Sequence, residues 1–342
     1  MATAKISGTR IVGIVSVVAP NTTDNLSSAQ LPESTRDSLV HHTGIRYRKR
    51  ADQDSTINDY FGFAIKELIK QLNWDLASID ALICVTQTPQ LSIPSVACQL
   101  HGELAFTQAT LAFDINSGCS GFVYGLHAVS SLLASIDKPK KRAIMCCGDL
   151  SSTLTHPTDL SVIPIFSDAV SAIAVEVDSS DKEITGYFNL ETAGSGQHAI
   201  ALTPHEDGKK YMTLNGIDVY NYSVSMVPNN ILQLLSFADK KVDFPDYYFL
   251  HQANKLINDS ICKKISVPFE KAPSTLYDYG NTASASIPLT INTAWKKEQS
   301  SNKWVLLSGF GVGFSVASCL LKFDPDICNK PLVYPIKSIK ND

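Results

Sequence analysis

Apolar residues recur along this chain in two alternating periods. "YFGFAIKELIKQLNW" (60–74) carries them at the three- and four-residue spacing of one helix face. "IDALICVTQT" (79–88) gathers them into a short continuous run, as in a strand covered on both sides, and "SVACQLHGELAF" (95–106) returns to helical spacing. The same order comes back in the second half, with helical "VPNNILQLLSFAD" (227–239), strand "PDYYFLHQAN" (245–254) and helical "KLINDSICKKISV" (255–267). "ATLAFDI" (109–115) predicts another strand. It leads through "NSGCSG" into a helix whose Phe122, Leu126, Val129, Leu133 and Ile136 form one apolar stripe. The counterpart of that unit is "STLYDYGNTASASIPLTINTAW" (274–295), and each half closes on a strand, "RAIMCCGD" (142–149) or "KWVLLSGFG" (303–311).

Strands alternating with helices predict an α/β chain of two similar halves, with mostly parallel sheets covered by helices. The halves should pack across shared helices, with strand C-terminal ends and helix N-termini gathered at one site. The seam falls in "VEVDSSDKEITGY", dividing the chain into 1–180 and 181–323. Residues 324–342 read as a loosely held polar extension.

Composition narrows the classes. With 342 residues, 44% of them hydrophobic, the chain can bury a large core. A net charge of −4 gives no global attraction to nucleic acid or to an anionic membrane. No apolar run approaches the roughly 18–20 residues that span a bilayer, and "RIVGIVSVVAP" (10–20) reads as a buried first strand rather than a leader. Cys84, Cys98, Cys119, Cys146, Cys147, Cys262, Cys319 and Cys328 include no C-x-x-C pair, so they read as reduced thiols of a soluble cytoplasmic protein, with no metal or cofactor expected.

Cys119 stands apart, because it sits among Ser117, Gly118, Ser120 and Gly121 where a strand hands over to a helix. Unpaired N–H groups and the helix dipole favour negative charge there, so the thiol is expected to ionise more readily than a free one and to act as a nucleophile. The glycines admit a tight turn and close approach of a substrate. His251 ends an apolar strand in "FLHQAN", where it suits either a site or the cap of the next helix. Asn281 in "DYGNTASAS" is a site residue or a plain turn former. The glycine cluster "SGFGVGFS" (308–315) can aim backbone N–H groups at a developing oxyanion, and it lacks the pattern of a dinucleotide site.

At these residues the chain resembles the β-ketoacyl-acyl-carrier-protein synthase III family of the thiolase superfamily. The resemblance runs from Ile11 to Phe323 and rests on "HHTGIRYR" (41–48), "DINSGCSGF" (114–122), "HQAN" (251–254), "YGNTASASIP" (279–288) and "GFGVGF" (309–314), in family order. It implies a thiolase-like fold of two duplicated halves in five α-β-α-β-α layers, a homodimer, and a Cys-His-Asn site. Carried over, Cys119 takes an acyl group from a thioester, and His251 and Asn281 hold the thioester oxygen of malonyl-carrier protein as CO2 leaves. The backbone N–H groups of Cys119 and Val312 form the oxyanion hole. Acyl carrier protein is the implied partner, met by a basic patch of Lys255, Lys263 and Lys264, although one commonly basic position there is Asn221.

Departures qualify the resemblance. The Trp and Arg that usually clamp the adenine of coenzyme A match Ser38 and Leu160, which argues against a tightly held coenzyme A primer. The family stretch "FGDGAGA" is "FSDAVSA" (166–172), and the Phe that often limits primer length matches Ile93, an expected acyl-pocket residue. These changes point to a specialised condensing enzyme outside housekeeping fatty-acid initiation. Two alternatives stay open: acyl transfer from Cys119 to a hydroxyl or amine, and a silent partner of a second synthase subunit.

Overall fold

The computed structural model describes residues 2–181, 183–294, 303–324 and 329–336. In chain order the first half contributes strands β1 (Ala2–Ser7), β2 (Thr9–Val18) and β3 (Asn21–Asp24), helix α1 (Glu33–Thr43), β4 (Tyr47–Arg50), α2 (Ile57–Leu72), β5 (Ala81–Val85), α3 (Val96–Glu103), β6 (Leu111–Ile115), α4 (Gly121–Ser135), β7 (Lys140–Asp149) and β8 (Ala169–Asp178). The second contributes β9 (Thr185–Thr192), β10 (Ile200–Pro204), β11 (Lys210–Leu214), α5 (Gly216–Phe237), β12 (Tyr247–Leu250), α6 (Lys255–Lys264), α7 (Leu276–Tyr279), α8 (Ser286–Ala294), β13 (Lys303–Gly311) and β14 (Ser315–Phe323), and β15 (Leu332–Val333) follows.

Local chemistry fixes the helix starts. Thr56 and Asp59 form a reciprocal capping box at α2. Ser95 caps α3, and the Asp114 carboxylate, reaching over from β6, accepts the Val96 and Ala97 N–H groups at 2.7 and 2.8 Å. Asn254 caps α6 by accepting the Ile257 N–H at 2.9 Å.

Two large sheets form, ordered β15-β2-β8-β7-β5-β6 and β1-β9-β14-β13-β12, beside the two-stranded pairs β3-β4 and β10-β11. The α4 stripe and Ile287 and Ile291 of α8 sit between them, in one core with Ile83, Met145 and Ile173 of the first sheet and Leu307, Ala317 and Cys319 of the second. Outside the first sheet, Tyr60, Phe61 and Ile65 of α2 pack on Leu82, Cys84 and Ile144. Outside the second, Ile231 and Leu234 of α5 and Ile261 of α6 pack on Leu306 and Leu320. The result is five layers, α-β-α-β-α.

Two expectations need correction, and one strand crosses between the halves. The sheets are mixed rather than mostly parallel: β5 runs parallel to β6 and β7, and β12 to β13, but β7–β8 and β13–β14 are antiparallel. No crossover helix separates the strands of either closing pair, so each chain segment returns alongside itself. β1 pairs with β9 in the second sheet, Ala2 opposite Leu190, although it precedes the first strand of the other half. The extension is docked rather than loose over 332–334. Leu332 and Val333 pair in parallel with Val17 and Val18, and Tyr334 stacks on Tyr60 at 4.2 Å, which covers an otherwise open sheet edge. Cys328 and residues 337–342 lie outside the described residues, and the seven described cysteines are unbridged.

Candidate active site

Cys119 lies in the turn before α4, only 5% exposed, with Ser120 at the helix cap. The Ser120 hydroxyl meets that of Ser315 at 2.7 Å, and Ser315 in turn donates to the Val312 carbonyl at 2.7 Å, tying the helix start to the β13–β14 turn. Contact there is tight. A Cβ at Gly311, whose φ is +152°, would lie 2.7 Å from Cys119 Cβ and 3.1 Å from its sulfur, and one at Gly309 would lie 2.9 Å from Ser120 Cα. Only glycine admits this approach.

His251 follows β12 directly, and its N–H continues the ladder by donating to the Ser308 carbonyl at 2.8 Å. It does not cap α6, since Asn254 does. Its Nδ1 contacts the Ser286 hydroxyl at 2.7 Å, while the Gln252 N–H donates to the same hydroxyl at 3.3 Å. Either atom of the Nδ1–Ser286 pair can donate, and with Ser286 as the donor the imidazole hydrogen stands on Nε2. Phe310 packs edge-on against the ring, 5.2 Å between centroids.

Asn281 is anchored through its backbone, which accepts from Ser167 N–H at 2.9 Å and donates to Ile165 at 3.0 Å. Its Oδ1 accepts the Ala283 N–H at 2.9 Å, and Nδ2 reaches the Ala253 carbonyl at 3.4 Å. The acceptor end of the amide is therefore engaged, and a hydrogen on Nδ2 remains to be donated.

Cys119, His251 and Asn281 line one cavity of about 50 Å3 together with Phe166, Asn254 and Phe310. Cys119 also borders a second space of about 20 Å3, shared with Gln87, Asp149, Ser151, Met212 and Val312. A larger groove of about 660 Å3 lies on the opposite face of α6 against α1 and contains none of the three. We take the smaller cavities as the site, because they hold the nucleophile and the groove does not.

Electrostatics revises the expected thiolate. Burial, and next the charge of Asp149, push the Cys119 thiol up to about 12, and the backbone amide at the turn opposes this only in part. Burial also depresses His251 to about 3 against a weaker opposing contact with the Ala283 backbone, so the imidazole is neutral. The resting pair is thiol and neutral imidazole.

Other expected residues fare differently. Val312 borders the small cavity beside Cys119. Ile93 is 85% exposed and lines neither cavity of its own chain, because the loop before α3 carries it outward. Lys255 is paired with Asp259 at 2.8 Å, Lys264 donates to the Val224 carbonyl at 2.9 Å, and Lys263 is exposed. Ser38 and Leu160 are exposed and offer no aromatic or cationic clamp. Ser286 and Asp149 escaped the sequence analysis, and Phe310 and Gly311 entered it only within the glycine cluster 308–315. Ser286 lay within the quoted "YGNTASASIP" motif, but nothing local marks it as the partner of His251. Among the described residues, no helix is long and apolar enough to cross a membrane, and no group of three or more His, Cys, Asp or Glu could hold a metal ion.

Two α/β halves stacked on a shared helical layer, with a helix-start cysteine beside an imidazole and a carboxamide, define a thiolase-fold condensing enzyme. Family models described as 3-oxoacyl-[acyl-carrier-protein] synthase III and its C-terminal part match residues 113–194 and 235–323. The chain is 30% identical to β-ketoacyl-[acyl-carrier-protein] synthase III 2 of Bacillus anthracis, covering 93% of this chain and 99% of that one. It is 32% identical to the synthase III of Enterococcus faecalis, covering 86% and 94%. A crystal structure of 3-oxoacyl-(acyl-carrier protein) synthase from Burkholderia xenovorans superposes with a TM-score of 0.89 at 30% identity, covering 97% of this chain and 99% of that one. The chain belongs to the β-ketoacyl-[acyl-carrier-protein] synthase III family and is a condensing enzyme of that type.

Proposed function

We propose that the enzyme carries a primer acyl group on Cys119 and joins it to malonyl-carrier protein by decarboxylative condensation. The sulfur attacks the primer thioester, the old C–S bond breaks, and the departing thiolate ends with the thiol's proton. Malonyl thioester then loses CO2. The enolate oxygen is held by two neutral donors, Nε2–H of His251 and Nδ2–H of Asn281. The carbanion attacks the acyl carbonyl, whose oxyanion is met by the N–H groups of Cys119 and Val312, and collapse returns Cys119, which takes up one proton. A thiol with a high pKa is a poor leaving group but reprotonates readily. The observation that carries this reading is the pairing of a neutral imidazole with an oxygen-anchored amide in the cavity that holds Cys119. Two donors and no base suit a decarboxylating partner.

Acyl carrier protein is the proposed source of both acyl groups, since Ser38 and Leu160 supply no adenine clamp. Exposed Ile217 and Leu256, at the starts of α5 and α6, flank the cavity residues Gly216 and Ile257 and give a carrier an apolar contact, with Lys263 and Lys264 in the last turn of α6. A homodimer in the cytoplasm is the proposed assembly. Edge strand β6 exposes Leu111 and Phe113, and Leu91 and Ile93 stand nearby in sequence, so Ile93 would touch an acyl pocket only across such an interface. We keep the division of the chain at residue 180, with the Cys119 half and the His251–Asn281 half meeting at the site.

The test is purified protein with an acyl-carrier thioester and malonyl-carrier protein. Release of CO2 together with a 3-oxoacyl product supports the reading. Transfer of the acyl group to a hydroxyl or amine without malonyl turnover refutes it, as does failure of every acyl thioester to load Cys119.

A further inference from the structure

Asn281 belongs to no strand of either large sheet. Its backbone is held by the segment 164–168 that leads into β8: the Asn281 N–H donates to the Ile165 carbonyl at 3.0 Å, and the Asn281 carbonyl accepts the Ser167 N–H at 2.9 Å. Cys119 and His251 are held elsewhere, at the β13–β14 turn and on the β12–β13 ladder. Two side chains clamp the segment in turn. Asn25, fully buried just after β3, donates from Nδ2 to the Pro164 carbonyl at 2.9 Å and to the Ile45 carbonyl at 3.1 Å. Its Oδ1 accepts from Arg48 Nε at 2.8 Å. A guanidinium only donates, so it fixes which end of the amide faces it and aims Nδ2 at the two carbonyls. Ser167 supplies the second hold. Its hydroxyl accepts the Lys49 N–H at 2.5 Å and donates to the Lys49 carbonyl at 3.2 Å, and the Asp168 N–H reaches the same carbonyl at 2.8 Å. In "FSDAVSA" this serine stands where the family stretch "FGDGAGA" has glycine. Glycine would keep the N–H bond to Asn281 and lose the hydroxyl's hold on β4.

Resting on the condensation reading above, we propose that Asn25 and Ser167 are positioning residues for decarboxylation. By pinning residues 164–168 to the β3–β4 pair they fix the Asn281 backbone, and through it the Nδ2–H that meets the enolate. The Asn281 side chain has few ties of its own, Oδ1 to the Ala283 N–H at 2.9 Å and Nδ2 to the Ala253 carbonyl at a long 3.4 Å, so its reach follows its backbone.

Asn25→Asp tests the first hold. At nearly unchanged size, the carboxylate still accepts from Arg48 but cannot donate to Pro164 or Ile45. Two rates are read: acylation of Cys119 by intact mass, from an acyl thioester that loads the native enzyme, and CO2 release from malonyl-carrier protein by the loaded enzyme. Asn25→Asp is expected to lower CO2 release about ten- to hundredfold, up to the cost of a displacement of about 1 Å, with acylation within twofold of native. Ser167→Ala removes one hydroxyl and is expected to lower CO2 release about three- to tenfold, the worth of a hydrogen bond. It carries the test alone if Asn25→Asp does not fold. A general loss of structure would slow both steps alike and leave their ratio unmoved. In an Asn281→Ala background either change is expected to alter the residual CO2 release by less than twofold, because the group it positions is gone. A folded variant that leaves the ratio at its native value overturns the proposal, as does a fall of full size in the Asn281→Ala background. Either result leaves the condensation reading standing, since the native enzyme still releases CO2 and forms its 3-oxoacyl product. No CO2 from the native enzyme defeats both.

Discussion

Gly311→Ala is the sharpest perturbation of the site that leaves the Cys119, His251 and Asn281 side chains unchanged. The added methyl carbon would sit 2.7 Å from Cys119 Cβ and 3.1 Å from its sulfur. Carbon atoms pack comfortably at roughly 3.5–4.0 Å, so the cysteine or the strand must retreat by about 1 Å. A backbone held at φ +152° adds strain of about 1–3 kcal/mol for any residue but glycine. A displacement of about 1 Å at a reacting atom costs on the order of 100-fold in rate. The variant is therefore expected to acylate Cys119 about 100-fold more slowly, while urea denaturation shows only the loss of about 1–3 kcal/mol. Gly194→Ala is the control, since nothing lies within 4 Å of its Cβ position. Acylation of Gly311→Ala within threefold of the native rate would refute the close approach of β13 to the nucleophile.

Three further outcomes follow from the same geometry. Asn281→Ala removes one of two donors to the enolate, and CO2 release from malonyl thioester is expected to fall about 100- to 1,000-fold while Cys119 still acylates by intact mass. His251, depressed to about 3, is a neutral donor throughout the working range, so in Asp149→Asn, which removes a carboxylate titrating near 6 beside Cys119, CO2 release should be flat from pH 5 to 8. A fall centred near pH 6.5 in that variant would contradict the burial of His251. The unfolded chain takes that proton first, so the imidazole costs stability as pH drops from about 6.5 towards 3. Tyr334→Ala empties a 7%-exposed position stacked on Tyr60 and edge-on to Phe63, and is expected to cost about 2–4 kcal/mol in denaturation with Cys119 acylation unchanged.

What the amino-acid sequence makes legible is what local physics decides. The α4 stripe announces a helix because its spacing matches one face, and Phe122, Leu126, Val129 and Leu133 are indeed fully buried between the sheets. Strand direction was less legible, because β8 and β14 carry apolar runs like those of parallel strands, and only the missing crossover helix tells them apart. The state of Cys119 was misjudged for a related reason. The helix start is visible in "SGCSG", but burial outweighs it, and the close approach of Gly311 on β13 comes from nearly 200 residues away. Ile93 matched a pocket position by family resemblance, yet exposure depends on where its loop travels.

The account stands on carbon–carbon bond formation from an acyl group held by Cys119. The direct measurement isolates the acyl-enzyme, mixes it with malonyl-carrier protein in a single turnover, and follows the mass of the Cys119 peptide beside the product. The expected result is loss of the acyl mass in step with CO2 and one 3-oxoacyl thioester per site. An acyl group that stays on Cys119, or leaves it only as the free acid while malonyl-carrier protein is unchanged, would contradict the account.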